Sequence, residues 1–167
     1  TMRNTLLHII GMAVCMTMAA CQNELTTEKQ IEALQEQVTT DAATLETMSV
    51  HYDALNKSYI RCDSMLQYAR EDQLQDYFNT LNLANAYLLQ FKEISPDMRA
   101  KFTYTETQLE NLLDDLNTQY LSDSLAQVYL AEEAKVADTL HARVLYFQEK
   151  LDTQKKAVAE IEKSLKR

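Results

Sequence analysis

Residues 31–69 read IEALQEQVTTDAATLETMSVHYDALNKSYIRCDSMLQYA. Apolar side chains return at alternating steps of three and four: Ile31, Leu34, Val38, Leu45, Met48, Tyr52, Leu55, Tyr59, Cys62, Leu66 and Ala69, with Asp41 the one polar residue in phase. Such spacing keeps one stripe on one face of a helix. Sustained beyond three or four heptads, it predicts a long helix packed lengthwise against another. Thr26 or Thr27 is placed to cap its start, with Glu28 and Glu32 near the positive end of the helix dipole.

The carboxyl end repeats the pattern through Leu130, Glu133, Ala137, Leu140, Val144, Phe147, Leu151, Gln154, Val158, Ile161 and Leu165, and it closes on Lys163, Lys166 and Arg167. Basic residues suit the last turn of a helix. Between the two runs, Ser95-Pro96-Asp97 is the strongest breaker, with Pro96 at a first helical position and Ser95 as its cap. Mirrored about Pro96, the runs pair Ile31 with Ile161, Leu34 with Val158, Leu45 with Phe147, Met48 with Val144 and Tyr52 with Leu140. This predicts an all-α chain folded as a long antiparallel helical hairpin, a coiled coil reversing at Ser95-Pro96-Asp97. Its helices of about 70 residues would each reach about 105 Å. In that arrangement the two chain ends meet and the proline turn is remote from both. A second reading stays open, because Ser64-Met65-Leu66-Gln67 and Ser124-Leu125-Ala126-Gln127 resemble capping boxes. Breaks near Ser64 and Ser124 would give a four-helix up-down bundle. Either way residues 28–167 form one helical domain, with arms at 28–70 and 125–167 and an aromatic-rich distal half at 71–124.

Composition narrows the function. The 167 residues carry 16 basic and 25 acidic side chains, a net charge of −9, with one glycine, one proline and no tryptophan. Without glycine beyond Gly11 there are no phosphate-cradling loops, dinucleotide fingerprints or nucleophile elbows. The acidic balance argues against nucleic acid as a partner, since phosphate binding needs a clustered basic face.

Catalytic and metal-binding patterns are missing too. In the hairpin register His51 and His141 stand on opposite flanks and do not converge. Asp138 and His141 share a face without the second carboxylate–histidine pair that a di-metal site needs. Glu71-Asp72, Asp114-Asp115 and Glu132-Glu133 are sequence neighbours, which point about 100° apart on a helix and so do not share a proton or a metal. No catalytic residue, cofactor or metal ligand is expected. Cys62, in phase with the apolar stripe, reads as a small buried hydrophobe or as one half of a disulfide between two chains. Asp41, Glu133 and Gln154 are polar intrusions in the stripes, of the kind that fixes register in coiled coils.

Residues 2–21 read MRNTLLHIIGMAVCMTMAAC. Arg3 gives a short basic start, Leu6–Met18 an apolar stretch too short to span about 30 Å of hydrocarbon, and Met18-Ala19-Ala20-Cys21 a run of small residues before a cysteine. The segment resembles the signal peptide of bacterial lipoproteins, with Met18 where leucine is commonest. The resemblance covers only these residues. It implies that 1–20 are removed, that Cys21 is lipidated, and that 21–27 form the lipidated cysteine and a short polar spacer. Gln22, in place of the retaining aspartate, implies an outer membrane, with the body facing the periplasm or, as the alternative, exposed at the cell surface. Several acyl chains on one residue anchor a protein stably.

Nine of the thirteen aromatic residues lie between Tyr68 and Tyr129. Two helices cannot bury so wide an apolar face. Extra helices or self-association would cover it, or it is a partner surface, for which Tyr77, Phe78, Tyr87, Phe91, Phe102 and Tyr104 are the candidates. The expectation is a non-enzymatic, lipid-anchored coiled-coil protein of the bacterial envelope that acts as a spacer or scaffold for protein–protein interaction. The alternative is a periplasmic holdase-like chaperone gripping unfolded chains.

Overall fold

The computed structural model describes residues 26–166, and all of their regular structure is helical. Three long helices pack against one another: α1, Thr27–Met65; α2, Glu71–Asn117; and α3, Asp123–Leu165, with a single 3₁₀ turn at Leu66–Tyr68 between the first two. Thr26 caps α1 by accepting a hydrogen bond from the Lys29 amide, and Ser122 does the same for α3 with the Leu125 amide. Glu71 and Asp72 sit in the first turn of α2, where the dipole favours them.

Side-chain pairs fix the directions. Gln127 donates to the Thr27 hydroxyl, His141 Nδ1 meets the Asp41 carboxylate at 2.9 Å, His51 Nδ1 lies 3.4 Å from Asp152, and Arg61 is 3.1 Å from Glu162. These four pairs climb together, so α1 and α3 run parallel. On α2 the order is reversed: Arg99 meets Glu46 at 2.6 Å, Asp97 lies 3.7 Å from Arg143, and Tyr77 donates to the Ser164 hydroxyl at 2.7 Å. The chain therefore runs up, down and up again.

This corrects the hairpin. Pro96 lies inside α2, and no reversal occurs at Ser95-Pro96-Asp97. Proline removes one helix hydrogen bond and crowds the carbonyl four residues back. Here that carbonyl belongs to Lys92, which is exposed like Pro96 itself, so the interrupted bond lies on the solvent side of the helix and not in the core. The two flanking turns are held by burial of Phe91, Ser95, Met98 and Phe102. Ser95 faces the core instead of capping a helix. The mirrored pairs fall with the reversal: because Arg61 is level with Glu162, Ile31 is about 45 Å of helix rise away from the level of Ile161. Residues 71–124 are likewise no distal half, since α2 lies along both other helices.

The chain turns where the two capping-box sequences suggested breaks, a few residues further on. Ser64 stays within α1 and donates to the Arg61 carbonyl; the break comes at Leu66–Arg70, where Ala69 and Arg70 are extended. At the other end Gln119 adopts a left-handed conformation, φ 58°, and Ser122 rather than Ser124 is the cap. With Pro96 unbroken, these two turns make three helices and not four.

The core is one continuous column. Alternating steps of three and four place Leu81, Ala84, Leu88, Phe91, Ser95, Met98, Phe102, Thr105, Leu109 and Leu112 of α2 inside, against the stripes already named on α1 and α3. At mid-height each helix contributes one aromatic ring: Tyr52 and Phe147 stand 5.6 and 5.5 Å from Phe91, tilted and edge-on. Aromatic rings prefer such offsets, and large rings fill the wider axis of a three-helix core.

Candidate functional site

Heptad periodicity decides which aromatic residues are available to a partner. Phe91 and Phe102 occupy core positions on α2 and are 2% exposed, so they offer no surface. Tyr77 is half-buried, its ring packed on the core and its hydroxyl tied to Ser164. Tyr87 is also half-buried and meets Tyr146 edge-on at 6.5 Å. Only Phe78 and Tyr104 of the six stand out in solvent, and they are far apart along α2. The structure thus divides the aromatic group into a core pair, a half-buried pair and two isolated exposed rings. Cys21, the expected lipidation site, and residues 1–20, the expected signal peptide, lie outside the described residues.

Polar groups on the α1–α3 seam act as clasps. His141 and Asp41 meet across it, as do His51 and Asp152, so each histidine finds its own carboxylate and the two rings never converge. Asp41, an intrusion in the heptad, is therefore partnered. Arg61 and Lys166 both bind Glu162 and hold its carboxyl down to about 2. Burial pushes the Cys62 thiol up, and its Sγ donates to the Val158 carbonyl at 3.7 Å. A thiol enclosed in this way is inert toward a second chain unless the helices open.

Three buried polar atoms among the described residues lack a partner: Thr105 Oγ1, Glu133 Oε2 and Gln154 Oε1. Burial raises the Glu133 carboxyl. None of these belongs to a group that resembles a reaction centre. Among the described residues no three His, Cys, Asp or Glu side chains cluster to hold a metal. The main surface hollows are open grooves. One of about 480 Å³ lies between α1 and α3, floored by Ala33, Ala131 and Ala134 and edged by Gln30, Gln37 and Gln127. Another, of about 420 Å³, lies between α2 and α3 beside Ile94, Asp97, Arg143 and Tyr146. Charge meets in the second, where Asp97 and Arg143 stand 3.7 Å apart with Glu93 on the same rim.

Among the described residues no helix is long and apolar enough to cross a membrane. No protein-family model, curated protein or solved structure matches the chain.

Residues that the sequence reading overlooked lie on the first turns of α3. Leu125, Val128, Tyr129 and Val136 are exposed although α3 already buries Ala126, Leu130 and Ala137. The signal was present as a second apolar stripe at steps of three, four and seven, displaced from the first. A single heptad frame describes only the core stripe, and the displaced stripe falls outside it.

Proposed function

We propose that this chain is a lipid-anchored, non-enzymatic protein of the bacterial cell envelope, held at the outer membrane through Cys21, whose helical body presents a surface to another protein. The observation that carries the reading is the position of Met18-Ala19-Ala20-Cys21 relative to the folded body. The cap of α1 is Thr26, so Cys21 precedes the first helical turn by only a few residues. A lipid on Cys21 would hold the Thr27 end of the body within about 20 Å of the bilayer, given about 3.5 Å per extended residue. The Leu66–Arg70 turn and the carboxyl end of α3 would then stand about 60 Å further out, the length of α1 at 1.5 Å per residue. An anchor on Cys21 would then be at the opposite end of the body from the carboxyl terminus of α3, where the hairpin reading had them together.

The test is chemical and direct. Expressed in a bacterium, the chain should pellet with membranes, and its first tryptic peptide should begin at Cys21 and carry fatty acyl mass. Cys21→Ala should release it to the soluble fraction. A soluble wild-type chain still carrying residues 2–20 would end the proposal.

A further inference from the structure

The Asp97–Arg143 pair marks the line along which α2 and α3 face one another on the outside of the body. Helical steps of 7, 14 and 18 keep a residue on nearly the same flank. Down α2 from Asp97 they reach Tyr104, Asn111 and Asp115; back along α3 from Arg143 they reach Val136, Tyr129 and Leu125. Tyr104 therefore stands opposite Val136, and Asn111 opposite Tyr129, across one groove. Its large apolar side chains are unpartnered: Tyr104 is 62% exposed, Tyr129 49%, Leu125 43% and Val136 39%. The hollow beside Ile94 and Tyr146 continues this groove on the other side of the Asp97–Arg143 pair. The α1–α3 groove at the same level is lined by Leu34, Leu130 and three alanines between glutamine edges, but both leucines are already packed and neither is exposed.

Charge is distributed unevenly along the body. Residues 26–37 and 108–137, which make up this end, hold nine acidic and two basic side chains, so a net −7 of the whole chain's −9 sits here. Asp115, Asp123 and Glu132 flank the Leu125 end of the groove; the cations near its other end are already paired, Lys101 with Asp97 and Lys135 with Glu132. From Tyr104 to Asp115 the groove runs about 16 Å, three helical turns. An apolar stripe edged by carboxylates attracts a helix that is apolar on one face and basic on the other.

We infer that the α2–α3 groove from Tyr104 to Leu125 is a docking site for a basic amphipathic helix of a partner protein, seated as a fourth helix. This names the partner chemistry of the scaffold function proposed above and rests on that reading only for there being a protein partner. Its test therefore omits the lipid.

The probe is a fluorescein-labelled 14-residue peptide, helical, with leucines on one face and lysines on the other. It is titrated by anisotropy into the full chain carrying Cys21→Ala. Two control peptides have the same composition scrambled, or glutamate in place of lysine. The expected result is binding at least about tenfold tighter than either control, weakening several-fold between 50 and 300 mM salt. Tyr104→Lys with Val136→Lys should abolish it, while Val50→Lys, exposed on α1, leaves it unchanged; far-UV circular dichroism shows each variant folded. Equal binding of the scrambled peptide, or indifference to the groove substitutions, overturns the proposal. So does a dimer in sedimentation that Tyr104→Lys with Val136→Lys dissolves, because the groove's occupant is then a second copy of this chain.

Discussion

Glu133 shows how a single side chain sets a local balance. It occupies a core phase of α3 between Leu130 and Ala137, and one carboxylate oxygen is buried without a partner. Burial raises its carboxyl, so the folded chain resists ionising it more than the unfolded chain does. The sign follows from linkage: a raised acid pKa weakens the fold at pH values above the unfolded value, and the penalty fades as pH falls below the folded one. Glu133→Gln should therefore stabilise the protein by about 1 kcal/mol at pH 7 in urea denaturation, and the gain should shrink toward pH 4. Asp41, the intrusion in α1, differs in having a partner: His141 Nδ1 faces it at 2.9 Å. Sequence phase identified both as intrusions. Which one had a partner depended on the neighbouring helix, which phase alone does not name. Gln119 is a further example: a left-handed residue ends α2 without glycine, and nothing in a glutamine announces it.

At the scale of the element, the decisive case is Pro96. A proline inside a helix costs about 3 kcal/mol against alanine in an exposed interior. The hydrophobic phase of α2 passes through it unshifted, from Leu88 and Phe91 to Met98 and Phe102, and burial of those residues on both sides outweighs the lost bond. That uninterrupted phase was readable in the sequence and was overruled by the breaker. Pro96→Ala is expected to leave helix content unchanged by circular dichroism and to raise stability by about 2 kcal/mol in denaturant melts. Were Pro96 the corner of a hairpin, the same change would remove the turn and lower stability. The real turns, at Leu66–Arg70 and Thr118–Leu121, contain neither glycine nor proline, so they were detectable only through the capping residues beside them.

At the scale of the whole molecule, parallel α1 and α3 place the start of one beside the start of the other. Spin labels at exposed Glu32 and Glu160 test this directly. Glu160 is about 28 residues of helix above the level of Glu32, so a distance near 40 Å is expected, whereas the mirrored hairpin would bring the two labels side by side. The same geometry separates an acidic end at Thr27 and Asn117 from a mixed-charge end carrying Arg61, Arg70, Lys163 and Lys166. The sequence by itself determined that the chain is helical, where α1 begins, and which face of each arm turns inward, because a 3.6-residue period needs no knowledge of the partner. It also carries the Met18-Ala19-Ala20-Cys21 run on which the proposed anchor rests. Only the tertiary structure decided how many helices share the core, which way each runs, and whether Phe91 or Tyr104 meets water. A stripe of apolar side chains specifies that something covers it; the number and direction of the covering helices follow from how three stripes close around one axis, and that closure depends on all of them at once.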